Sequence, residues 1–190
     1  IDKRIIEWSV SLMAIDVESL YLSSGGGKVY QRLQHIAPDM SAIANEGTES
    51  QRRSFGGRGL SQQGGLERLS SIHFQQSAHQ LAIESIELLE APNCPQGKMD
   101  LILGADQMML QIHESIGHPL ELDRILGDER NYAGTSFVTL DMFGNYRYGS
   151  ELLNVTFDPT IPEEFASYQF DDHGQRAEKT HLIKDGLLLR

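Results

Sequence analysis

The stretch His113-Glu114-Ser115-Ile116-Gly117-His118 constrains this chain more than any other. It reads HExxxH and lies inside the longer run QIHESIGHPLELD. Neutral imidazole nitrogens suit zinc, and a glutamate beside one can take a proton from water. A zinc-binding helix normally sets its two histidines four positions apart, on one face. Here they are five apart. At roughly 100° per residue, an ideal helix would separate them by about 140°. A regular helix therefore cannot turn both rings toward one ion. A single wide turn of π type, closing i to i+5, brings them together. Gly117 makes such a distortion cheap, and Pro119 ends or kinks the helix just after it. The spacing thus predicts a helix that is irregular over residues 115–118. The six residues also admit a reading without metal, in which His113, Glu114 and His118 satisfy one another as a buried polar network.

The flanks add context. Residues 99–103 (MDLIL) read as a short buried strand, Gly104 breaks it, and Asp106 is a candidate N-cap for the helix that follows. Met108, Met109, Leu110 and Ile112 make that helix apolar on more than one face, which predicts that it is buried. Polar groups at the end of a buried helix need partners, and a metal would be one.

The run LILGADQMMLQIHESIGHPLELD resembles the signature of the TldD/PmbA metallopeptidases, long labelled modulators of DNA gyrase. That signature is a strand, a buried helix ending in HExxxH, and a Leu-Glu-x-Asp tail. The segment 91–97 (APNCPQG) resembles the family's linker before the catalytic domain. Phe170-Asp171-Asp172-His173-Gly174 resembles a later Asp-Asp-Glu-Gly segment, with His173 in place of the usual Glu. The resemblance implies a zinc-dependent peptidase acting on peptides or unfolded polypeptides. His113 and His118 would be zinc ligands, and Glu114 would activate the attacking water and pass its proton to the leaving amine. The third ligand would be a cysteine downstream of the residues present here; Cys94 does not match that position. Glu121 and Asp123 match the family tail without an assigned role. The resemblance also implies a homo- or heterodimer with another family member. Such pairs can include a non-catalytic structural subunit that lacks the metal motif, so that role is the alternative for this chain.

The chain has 190 residues, enough for one domain or two small ones. It begins at Ile1 rather than Met and stops inside an expected strand at 187–190, so a piece of a longer protein, lacking both ends, is expected. Its net charge is −11. An acidic chain offers no footprint for a phosphate backbone, which argues against nucleic acid as a partner. No apolar run is long enough to span a membrane. One cysteine excludes an intrachain disulfide and fits a cytoplasmic location.

Taken in order, Ile6, Trp8, Val10 and Leu12 alternate with polar residues as a half-buried strand, and 17–22 is a second candidate. Ser23-Ser24-Gly25-Gly26-Gly27 reads as a hairpin turn rather than a phosphate loop, because Lys28-Val29-Tyr30 continues as a strand. Residues 29–36 and 40–46 complete a meander. Residues 66–91 form a long amphipathic helix with a possible break near Phe74. Beyond the motif, 137–141 and 152–157 read as strands. Asp185-Gly186 is the signature of a two-residue hairpin. The expected fold is α+β: antiparallel sheets, one long amphipathic helix, and a buried helix carrying HExxxH. The expected division is a strand-rich N-terminal domain with the long helix, 1–91, and the start of a catalytic domain, 92–190.

Overall fold

A computed structural model describes residues 2–189; Ile1 and Arg190, at the chain ends discussed above, lie outside the described residues. The chain gathers into two compact units. The first runs to Gly97 and takes in Pro159–Ala177; the second comprises Lys98–Asp158 and continues from Glu178. Residues 159–177 join the first unit through a backbone bridge, an ion pair and side-chain hydrogen bonds. Gln62 bridges to Glu164, Arg68 pairs with Glu163 at 2.8 Å, and the Gln31 amide donates to the Phe170 carbonyl at 2.9 Å. The compact units therefore do not follow a single cut of the chain, although the first crossing falls at Gly97–Lys98.

The first unit is an antiparallel sheet under a helix. Strands β1 (Ile5–Leu22) and β2 (Lys28–Glu46) form one long hairpin, paired from Glu7–Ile43 to Leu22–Lys28. The four short strands expected over 5–46 are thus two. Pro38 would ordinarily argue against a central strand. It is tolerated because β2 pairs with β4 (Gln62–Gln63) only at His35 and Ile36, and with β3 (Glu49–Gly56) only from Asp39 on. Pro38 sits in the gap between these two ladders. Gly56 closes the gap: a Cβ there would lie 2.3 Å from the Pro38 carbonyl. The glycine-rich turn is a hairpin as expected, with the Ser23 hydroxyl accepting the Gly27 N–H at 3.0 Å.

The long helix is broken where expected. Helix α1 (Glu67–Ser71) stops, His73 takes a left-handed φ of 52°, and α2 (Phe74–Glu90) begins. Phe74 and Leu81 of α2 pack on Met40 and Ala42 of β2. The outer strand β1 fails the expectation of a half-buried strand: Ile6, Trp8, Val10 and Leu12 are all exposed. They alternate correctly, but the described residues supply no layer to cover them.

The second unit holds the motif. Its sheet is β5 (Val155–Phe157), β6 (Thr180–Lys184) and β7 (Leu187–Leu188), all antiparallel. Asp185 and Gly186 take φ of 50° and 77° and close the β6–β7 hairpin, as the Asp-Gly pair predicts. Two expected strands are absent. Residues 99–103 form no strand and Ile102 is 96% exposed, because no neighbouring strand pairs with them among the described residues. Residues 137–141 run instead into a short 3₁₀ turn at Leu140–Met142, with Val138 inserted in the core. The class remains α+β, with antiparallel sheets and few helices.

Candidate metal centre

Helix α3 (Ala105–Ile112) leads into the motif. Its N-cap is Gly104, not Asp106; the Asp106 carboxylate instead accepts the Gln107 N–H at 3.0 Å. The expectation of burial is not met. None of its residues is buried, and Met109, Leu110 and Ile112 are substantially exposed. Apolar residues on several faces state a need for cover, and the described residues cover only part of it.

The backbone then widens into a π turn over His113–Gly117, and the His118 N–H reaches back to the His113 carbonyl. This is the i to i+5 closure that the spacing demands. It brings the His113 and His118 ring centroids to 4.2 Å, with the ring planes at 70°. Ligand atoms of His113, Glu114 and His118 all lie within 4.8 Å of one another, a grouping that could hold a metal ion. The Glu114 carboxylate lies 3.9 Å from His113 Nε2. The side chains of His113 and Glu114 are 54% and 61% exposed, and that of His118 is 29% exposed. A buried polar network is therefore not what the three residues form. Solvent hydrates His113 and Glu114, so desolvation does not force them to pair.

Three features fix the turn. The first is Ile116, the only large apolar side chain in the six residues, which is buried with Val138, Ile183 and Leu188. The second is Pro119, which has no N–H for the carbonyl of Ser115, four residues back. That carbonyl is taken by the Tyr148 hydroxyl at 2.5 Å. Burial, and to a lesser degree the neighbouring Tyr146, raise the Tyr148 pKa further above the ordinary phenol value. The third is the segment after the motif. Pro119 lies in a short 3₁₀ turn, His118–Leu120, and its carbonyl accepts the Ser136 hydroxyl at 2.6 Å. Gly117 is not needed sterically. Its φ of −55° is open to any residue, and a Cβ there would meet only the Ile112 carbonyl at 3.8 Å.

Helix α4 (Leu122–Leu126) follows. Glu121, just before it, accepts from His118 Nδ1 at 2.9 Å through one carboxylate oxygen and from Arg124 Nε through the other. Burial raises the Glu121 pKa, but the hydrogen bonds from His118 and Arg124 outweigh it, and the net shift is downward. Arg124 is tied in turn to the Ala133 carbonyl at 2.9 Å. Asp123 serves the local backbone, accepting the Arg124 N–H at 2.8 Å. Cys94 belongs to the first unit and is exposed and free. His173, likewise in the first unit, donates its backbone N–H to the Asp171 carboxylate at 2.9 Å. Sequence reasoning left Ile116, Tyr148 and Arg124 without roles. A signal for Arg124 was present, since His118, Glu121 and Arg124 recur every three residues.

Residues 96–190 match the family described as the PmbA/TldA metallopeptidase C-terminal domain. A metalloprotease of Methanocaldococcus jannaschii is 29% identical over 191 residues, covering 98% of this chain and 39% of that protein. A metalloprotease TldD homolog of Buchnera aphidicola is 29% identical over 195 residues, covering 99% of this chain and 38% of its own length. The chain thus spans well under half the length of these relatives. The crystal structure of a proposed modulator of a DNA gyrase from Thermotoga maritima has the same fold. It superposes with a TM-score of 0.68 at 16% identity, covering 99% of this chain and 40% of that one. Motif, π turn and family match agree, and this chain belongs to the PmbA/TldD metallopeptidase family.

Proposed function

We propose that this chain carries the catalytic motif of a zinc-dependent peptidase that hydrolyses peptide bonds in peptides or unfolded polypeptides. The observation that carries the reading is the π turn, which gathers ligand atoms of the exposed His113 and Glu114 and the half-buried His118 within 4.8 Å of one another. Two imidazole nitrogens with a carboxylate beside them are a donor set that fits zinc. His113 and His118 would hold the ion. Zinc bound there supplies Lewis acidity and lowers the pKa of water. Glu114 acts on the proton: a carboxylate oxygen takes it from the attacking water. It delivers the proton to the leaving nitrogen as the C–N bond breaks, giving a carboxylate and an amine. Its 61% exposure leaves it within reach of water and substrate.

Catalytic zinc takes three protein ligands. By the family resemblance, we assign the third to a cysteine downstream of these residues. We also assign the protein to a homo- or heterodimer with a family member; the exposed apolar row on β1 leaves surface for such a partner. The intact His-Glu-His grouping disfavours a purely structural subunit. The net charge of −11 leaves DNA outside the proposed partners. Cys94, the single cysteine of these 190 residues, is free, in keeping with a reducing compartment such as the cytoplasm. Among the described residues no helix is long and apolar enough to cross a membrane.

Glu114→Gln tests the reading. The amide is nearly isosteric but accepts no proton from water, so turnover in the intact protein should fall about 10²–10⁴-fold while zinc stays bound. Near-normal turnover in that variant would refute the assignment of Glu114.

A further inference from the structure

We propose that Glu121 is the residue that orients His118 for a metal, with Arg124 holding Glu121 in place. The inference rests on the zinc-site reading above and extends it to two residues that the motif itself does not contain.

The geometry is a chain of fixed contacts within the second unit. His118 Nδ1 lies 2.9 Å from Glu121 Oε1. An ionised carboxylate only accepts hydrogen bonds, so the proton of a neutral His118 ring sits on Nδ1. Nε2 is then the nitrogen left with a lone pair for an ion. The hydrogen bond on one ring nitrogen sets which tautomer is present, and ligand histidines usually owe their orientation to such a partner.

An exposed carboxylate could satisfy this distance by chance. Glu121 does not behave as a mobile surface group. Its second oxygen is taken by Arg124 Nε, so both oxygens are committed. The Arg124 side chain is only 19% exposed, and its Nη1 donates to the Ala133 carbonyl at 2.9 Å. The Arg124 carbonyl accepts the Ser136 N–H at 3.3 Å, and the Ser136 hydroxyl donates to the Pro119 carbonyl at 2.6 Å. The loop carrying Ala133 and Ser136 thus clamps the segment 119–124 at both ends. The carboxylate is held by backbone that is itself held. Exposed ion pairs typically contribute little to stability, so orientation of the ring is the better account of this arrangement. The carboxylate beside His113 is Glu114, 3.9 Å from Nε2 and 61% exposed, so among the described residues His118 is the more rigidly placed of the two rings.

Glu121→Ala and Glu121→Gln separate orientation from charge and from folding. Ring ¹⁵N shifts of His118 at pH 8, without metal, read the tautomer directly. The unsubstituted protein and Glu121→Gln should show the proton on Nδ1, because the Gln carbonyl still accepts it. Glu121→Ala should lose that tautomer. Zinc affinity should fall about 10–100-fold in Glu121→Ala, the usual loss when such a partner is removed, and by less in Glu121→Gln. The proposal is overturned if Glu121→Ala keeps the Nδ1–H tautomer. It is overturned equally if both variants bind zinc as the unsubstituted protein does. If the unsubstituted protein takes up no zinc, the zinc-site reading fails, and the tautomer comparison alone decides whether Glu121 orients the ring.

Discussion

Replacing Tyr148 by Phe removes one hydroxyl and leaves the ring packed among Phe137, Tyr146 and the sheet. The hydroxyl is the donor to the Ser115 carbonyl, and Pro119 has deprived that carbonyl of its helical partner. A hydrogen bond contributes about 0.5–1.5 kcal/mol net. Ser115 is exposed, so water replaces part of what is lost, and the cost falls in the lower half, about 0.5–1 kcal/mol. The effect is local, so the assay should be local too: hydrogen exchange of the His118 amide, which bonds to the His113 carbonyl across the π turn. Exchange should quicken about two- to fivefold, following the increase in open population. Pro119→Ala provides the decisive control. It returns an N–H that can reach the Ser115 carbonyl, so Tyr148→Phe should then cost close to nothing. The two substitutions should show a coupling of about 0.5–1 kcal/mol, as residues sharing one partner do. Equal acceleration by Tyr148→Phe in both backgrounds would refute the reasoning, since the carbonyl would not be the shared partner.

Two further outcomes follow from the same turn. Ile116→Ala should destabilise the second unit by about 2–5 kcal/mol, as truncation of a core residue does, and should weaken zinc binding because the turn loses its anchor; thermal melting and zinc titration check both. Gly117→Ala should keep the fold and zinc affinity and stabilise by up to about 1 kcal/mol, because its backbone suits alanine; a collapse of zinc binding would show that glycine is required after all.

What the sequence revealed depended on whether local geometry or distant partners decided the outcome. The π turn was legible because helical periodicity and a five-residue spacing leave few other ways to join two rings. The Asp185-Gly186 hairpin and the break before Phe74 were legible for the same local reason. Residues 99–103 carry a strand's composition but lack a neighbouring strand, and strand propensity means little without one. Pro38 concealed the continuity of β2, because its tolerance depends on where two separate ladders stop and start. The apolar faces of β1 and α3 pointed to burial that the described residues do not provide. In the site, the motif residues could be named in advance. Tyr148 could not, because its hydroxyl reaches Ser115 from 33 positions away along the chain.

The central claim is that the π turn exists to let His113 and His118 share one zinc ion. X-ray absorption at the zinc edge on the zinc-loaded protein tests it most directly. The account predicts two imidazole nitrogens at about 2.0–2.1 Å, falling to one in His113→Ala and one in His118→Ala. Zinc bound with the same imidazole count in all three proteins, or a protein that stays metal-free in excess zinc, would contradict it.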